Sequence, residues 1–212
     1  MLAVLTGDLV QSTKLEATAY QAIIDAMEAY FQTLHQHHGV DYEIYRGDGF
    51  QLVFTQPEAA ITVMIQTKLF LNSQVKGYIT DCTQCLAYGS GHYSTGKPGR
   101  STGTVFVQSG RGLEKSKPGE LRIISHAASL QSATDVICQQ MSYIINKLSA
   151  KQAELLYHYI KEGFPAHKVL AKWAHTSRQN ISERLKAAGG DLLQPFINYT
   201  NAQLNQKDKQ QL

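Results

Sequence analysis

Tyr45-Arg-Gly-Asp48-Gly-Phe-Gln-Leu-Val-Phe54 is the stretch that decides the fold. Gly47-Asp48-Gly49 is a tight-turn signature between two strand-like runs, 40–46 and 50–54, and predicts a β-hairpin. Before it, the apolar run 2–6 reads as a buried strand that Gly7-Asp8 breaks. Ser12 or Thr13 is placed to cap the next helix. Over 17–38, Ile23, Ile24, Met27, Tyr30, Phe31 and Leu34 recur at helical spacing, and Gly39 stops the helix as a C′ residue would. After the hairpin, Pro57 suits the first turn of a helix over 57–72. Residues 82–93 read as a strand, 94–103 as a Gly/Ser/Lys/Pro loop, 105–113 as a short helix, 121–125 as a strand and 132–148 as a helix. The order β-α-β-β-α-β is the ferredoxin-like plan, so an α+β fold with a mixed or antiparallel sheet is expected over 1–148.

Past residue 148 there is no strand signal. Ser149-Ala-Lys-Gln152 has capping-box spacing. Leu155, Leu156, Tyr159 and Ile160 make one apolar stripe that Gly163 ends. Pro165–Ala174 and Ser177–Ala188 form two helices around a turn at His175-Thr176, and a last helix is expected over 191–204. Residues 149–204 therefore read as a small all-α, helix-turn-helix domain, and 205–212 as a polar tail that frays.

Composition limits the function classes. Hydrophobic residues are 43% of 212, enough for a core, and 17% charged residues is too few for a disordered chain. A net charge of +3 neither requires nor excludes nucleic acid, so the distribution of charge matters more. No apolar run approaches the roughly 20 residues that cross a bilayer, and no basic stretch precedes the first apolar residues, so neither a membrane span nor a signal peptide is expected. Three cysteines, Cys82, Cys85 and Cys138, suit a reducing, cytoplasmic compartment. Cys82 and Cys85 form a C-x-x-C without a second ligand pair, so strand-core cysteines are the better reading than zinc. His35, His37 and His38 lie at a helix C-terminus, where imidazoles are favourably placed without any metal.

Two aspartates carry the chemistry. Asp8 comes just after the first strand and Asp48 sits in the hairpin turn. In a ferredoxin-like sheet these elements are neighbours, so the two carboxylates can converge at one sheet end. Each alone is also what a tight turn uses. The pair points to hard cations, Mg²⁺ or Mn²⁺, in a metal or phosphate site. The segment 94–103 adds Lys97 and Arg100 among glycines and hydroxyls. It lacks the order of a Walker A motif, and reads either as a basic surface loop or as one that closes over a polyanion.

Leu5-Thr-Gly-Asp8-Leu-Val-Gln-Ser-Thr13 resembles the first metal motif of class III nucleotidyl cyclases. Tyr45–Phe54 resembles their second metal hairpin, and Ser109-Gly-Arg-Gly-Leu-Glu114 more weakly a later segment. The overall layout is similar to that of SatD-like proteins. The resemblance covers roughly the first 125 residues. It implies Asp8, Asp48 and the Leu9 carbonyl as metal ligands. It implies Val10, Gln11, Ser12 and Thr13 as the triphosphate cradle, a role that free amides at a helix start also suit on physical grounds. Ile44 and Arg46 fall among the nucleotide-contacting positions, and Arg111 would be a catalytic residue donated across a head-to-tail homodimer. Ile44 stands where the family has a purine-selecting Lys, Val107 where it has an Asn that acts in the transition state, and Gln11 where its first motif has a Gly. Ile cannot hydrogen-bond a base edge, and losing a positioned polar contact costs rate.

The C-terminal helices resemble sigma-factor region 4. Ser177, Arg178, Gln179, Asn180 and Arg184 are among the residues expected to be exposed on the second helix, where Arg, Gln and Asn at its start are types that read base edges, while Lys168, Lys172 and Lys186 suit phosphates of double-stranded DNA. The same helices also fit a packing or dimerisation module. Two functions are therefore expected. One is a divergent cyclase-like protein binding a nucleoside triphosphate through Mg²⁺ or Mn²⁺, cyclising it with pyrophosphate release if active. The other is a DNA-binding regulator whose first domain senses a nucleotide or dimerises.

Overall fold

The computed structural model describes residues 1–45, 47–75, 77–78, 80–124 and 128–205. The order is β1 (Leu2–Leu9), α1 (Ala17–His38), β2 (Asp41–Tyr45), β3 (Gly49–Phe54), α2 (Ala60–Ser73), β4 (Cys82–Gly89), α3 (Thr104–Glu114), β5 (Leu121–Ile124) and α4 (Ala128–Asn146). Then come α5 (Ala150–Lys161), α6 (His167–Trp173), α7 (Arg178–Ala187) and α8 (Gly190–Asn205). The sheet order is β2-β3-β1-β4-β5, with β4 and β5 parallel and every other pair antiparallel. The expected mixed α+β sheet is therefore present, and its first four strands follow the ferredoxin-like plan. None of the described helices is long and apolar enough to cross a membrane.

One boundary differs in a way that matters. Gly7-Asp8 does not break β1, which runs to Leu9. The strand is central, flanked by β3 and β4, and Asp8 lies opposite Gly49 on one side and Thr83 on the other. Two ladders of backbone hydrogen bonds override the turn preference of Gly and Asp. Gly7 is needed here because the fully buried Phe50 ring lies across it. A Cβ at residue 7 would stand 2.1 Å from Phe50 Cζ. Phe31, with its ring centroid 5.2 Å away, packs on the same ring. Gly7→Ala is expected to cost about 1–3 kcal/mol by overpacking, read as a lower urea midpoint. A loss below about 0.5 kcal/mol would show that Phe50 moves freely.

Alternation along the strands sorts the core into two faces. Ala3, Leu5 and Leu9, Phe50, Leu52 and Phe54, and Cys82, Leu86 and Tyr88 face the layer of α1 and α2. Val4, Val53 and Ala87 face the other way and meet Val105 of α3. Cys82 and Cys85, three apart, fall on opposite faces of β4. Both are buried, and burial pushes each thiol up to about 12, as core cysteines.

α2 is buried nearly all round. One side covers the sheet and the other receives α5, so a single apolar core runs from β1 through α2 into Leu155, Leu156, Leu185 and Leu193. The capping box at Ser149 forms as its spacing predicts. The helix predicted from Pro165 begins at His167, and the next, expected from Ser177, begins at Arg178 with Ser177 as its N-cap. The tail at 206–212 lies outside the described residues.

Candidate functional site

The end of β1 and the β2–β3 turn are pinned by a backbone bond: the Leu9 N–H donates to the Asp48 carbonyl at 3.2 Å. Gly47 makes the turn possible with φ of 89°, and Tyr20 of α1 closes against it so tightly that a Cβ would meet its hydroxyl at 2.0 Å. Asp48 is thereby held beside Asp8. The Ser12 hydroxyl donates to the Asp48 carboxylate in a very short bond. It does not cap α1, whose N-cap is Glu16.

The two aspartates open into a cleft of about 440 Å³ on the α3 side of the sheet. Thr6, Asp8, Gly49 and Thr83 form its floor. Gly110, Leu113 and Glu114 of α3 form a wall, continued by Ser116 and Pro118. Thr6 also ties the floor to α3, donating to the Ser109 hydroxyl at 2.9 Å. The volume lies within the usual range for small-molecule sites. Partial burial, and then the charge of Asp48, raise the Asp8 carboxyl above its ordinary value. A bound cation would offset the repulsion that the Asp48 charge exerts on the Asp8 carboxylate.

Among the described residues no third His, Cys, Asp or Glu joins this pair in a metal-sized cluster. Oxygen donors are nevertheless plentiful, with hydroxyls at Thr6, Ser12 and Thr83 around the carboxylates. The set fits Mg²⁺ or Mn²⁺, which accept few protein ligands and complete their shell with water and substrate phosphate oxygens.

The other expected positions distribute unevenly. The Val10 amide is not free, since it donates to the Asp81 carbonyl at 2.8 Å. Gln11 adopts a left-handed backbone (φ 58°) and starts a 3-10 turn at Ser12–Lys14, with Thr13 exposed. Ile44 packs against the α1–α2 core, on the sheet face opposite the cleft. Arg46 lies outside the described residues. Arg111 is exposed on α3 and absent from the cleft lining.

The loop carrying Lys97 and Arg100 lies along β2 and not over Asp8 and Asp48. Its Gly96 and Gly99 amides donate to the carboxylates of Asp41 and Glu43, at 3.0 and 2.6 Å. Amides that suit a polyanion are thus engaged by side chains of this chain, and both basic residues stand exposed. In the C-terminal helices, Lys168, Lys172, Arg178, Gln179, Asn180 and Lys186 are exposed and Arg184 half-buried. Ser177 accepts from the Asn180 amide, so its hydroxyl serves the helix end, and Gln179 donates to Glu183 at 3.2 Å.

Sequence reasoning passed over Lys68 and Asp81. Lys68 is a fully buried lysine on α2, bonded to Asp81 at the mouth of β4. The signal was present: one charged residue, Lys68, in the mostly apolar run 60–71.

No family model matches this chain, and no curated protein matches it in sequence. Among solved structures it is similar to the guanylyl cyclase Cya2, with TM-score 0.45 and 20% identity over 63% of this chain and 78% of that one. The monomeric guanylyl cyclase domain of the RhoGC fusion protein from the aquatic fungus Blastocladiella emersonii gives TM-score 0.48 and 15% identity over 57% and 79%. The adenylyl cyclase CyaB from P. aeruginosa gives 0.43 and 14% over 62% and 80%.

Proposed function

We propose that this chain is a divergent nucleotidyl cyclase-like protein that binds a nucleoside triphosphate in the Asp8–Asp48 cleft through Mg²⁺ or Mn²⁺. The observation that carries the reading is the backbone pin from Leu9 to Asp48, which sets two carboxylates side by side at the mouth of a nucleotide-sized cleft. Asp8 and Asp48, with the Leu9 carbonyl, would hold the cation, and Ser12 orients Asp48. The amides of Gln11, Ser12 and Thr13 face the phosphates. When bound, such ions neutralise phosphate charge and, as a pair, favour attack of a hydroxyl on the α-phosphate with pyrophosphate leaving. Arg111, being exposed, would serve the cleft of a second copy in a homodimer. Ile44, turned into the core, reads no base, and Val107 supplies no polar contact, so binding with slow turnover is the form of the proposal. The layout shared with SatD-like proteins and a cytoplasmic location belong to the same reading.

The test incubates the protein with each of the four ribonucleoside triphosphates and Mn²⁺ and measures pyrophosphate and nucleotide products. Asp8→Ala and Asp48→Ala serve as controls. Product lost in both variants is expected for an enzyme and names its base. Triphosphate binding without product above the variants marks a sensor. Absence of both product and binding overturns the reading.

A second reading is favoured by one observation: α6 and α7 pack on each other, and their exposed surface carries Lys168, Lys172, Arg178 and Lys186 against one acid, Glu183. Under it, the C-terminal helices bind double-stranded DNA. Lys172→Ala is then expected to weaken DNA retardation evenly across sequences and to lower the salt slope by about 1. An unchanged slope would leave these helices a packing role.

A further inference from the structure

The lysine overlooked in sequence is placed where three segments of the cleft meet. Lys68 is completely buried, and its ammonium has three donors. All three are used: Asp81 Oδ1 at 2.5 Å, the Cys82 carbonyl at 3.0 Å and the Gly119 carbonyl at 2.7 Å. Each acceptor leads to the cleft. The Asp81 carbonyl holds the Val10 amide, and so fixes where β1 hands over to Gln11 and Ser12. Cys82 precedes Thr83, a floor residue. Gly119 comes directly after Pro118, a wall residue, and its N–H donates to the Thr83 hydroxyl at 3.0 Å. The 117–120 turn closes on the same carboxylate, since a Cβ at Gly119 would stand 2.7 Å from Asp81 Oδ2.

A buried charge cannot lose any of these partners cheaply, so its bonds hold the strand start and the turn at one separation. No water-exposed side chain could do this, because solvent would substitute for the missing acceptor. We infer that Lys68 is a positioning residue: from beneath the sheet it holds the Val10–Ser12 segment and the Thr83–Pro118 floor and wall in register for a triphosphate. This rests on the reading that the cleft binds one.

The test compares the full-length wild type with Lys68→Met and with Leu155→Ala, a core truncation on α5 away from the cleft. Affinity for Mn²⁺ with a triphosphate is measured by calorimetry, and amide exchange is followed at Val10, Gly119 and Leu185. Lys68→Met is expected to weaken binding at least tenfold and to speed exchange at Val10 and Gly119 at least tenfold relative to Leu185. Leu155→Ala should leave affinity within twofold. If Lys68→Met does not fold, Asp81→Asn, which keeps an acceptor oxygen, carries the test, with an expected threefold or larger effect on both readouts. Equal affinity and unchanged exchange at Val10 would overturn the role of Lys68. If the wild type itself binds no triphosphate, the functional reading falls, and exchange at Val10 and Gly119 alone decides whether Lys68 sets the segment.

Discussion

Lys68→Ala is expected to remove about 3 kcal/mol of unfolding free energy, the low end for breaking a buried ion pair. The low end applies because the partners are not all stranded. The Asp81 side chain is 27% exposed and can reach water, and the Gly119 carbonyl still accepts from Asn146 at 3.1 Å. The Cys82 carbonyl loses its lysine bond, and the removed side chain leaves a void beside Asp81. Small domains have only about 5–15 kcal/mol in hand, so the variant should fold with a far lower urea midpoint and an unchanged slope. A loss under about 1 kcal/mol would mean that Lys68 makes no indispensable bonds.

Asp48→Asn should move stability in opposite directions with and without ligand. In the metal-free protein Asp8 has its carboxyl raised above the ordinary 3.8, by burial and then by Asp48. A carboxylate raised on folding contributes stability while protonated. That contribution is lost as pH rises from the ordinary value through the raised one. Removing the Asp48 charge takes away part of this loss, so the metal-free variant should be slightly more stable than wild type near neutral pH. The gain is a few tenths of a kcal/mol, because Asp8 is only partly buried and water screens the pair. With Mn²⁺ and a triphosphate at a hundred times the dissociation constant, wild type should gain about 2.7 kcal/mol, and the variant should gain nothing. Melting scans from pH 4 to pH 8, with and without ligand, measure both signs. A ligand-induced shift that survives in the variant would detach Asp48 from metal binding.

Much of the frame was legible because periodicity and punctuation agreed. α1 ends at the expected Gly39, and the hairpin sits around Gly47-Asp48-Gly49. The carboxylate pair could be anticipated because adjacent strands leave few places for it. The features that stayed hidden depended on long-range partners. Gly7-Asp8 looked like a break, since nothing local reveals that β3 and β4 pair with it from both sides. Ser12 looked like a cap, yet it serves a carboxylate 36 positions away. The 94–103 loop looked free to hold an anion, but Asp41 and Glu43 of β2 already occupy its amides. Lys68 stood in plain view, but a lysine in an apolar helix has meaning only once its three acceptors are known.

The apolar wrapping of α2 limits how this chain can change over evolutionary time. A helix exposed on one side can gain or lose an appended domain without consequence. α2 has no such side, since the sheet covers one flank and α5 the other, with the rings of Tyr30, Phe70 and Tyr157 packed together at the seam. The C-terminal helices are therefore not a detachable cartridge. A lineage that shed or exchanged them would have to repaint the outer flank of α2 with polar residues while leaving Lys68 buried on the other flank.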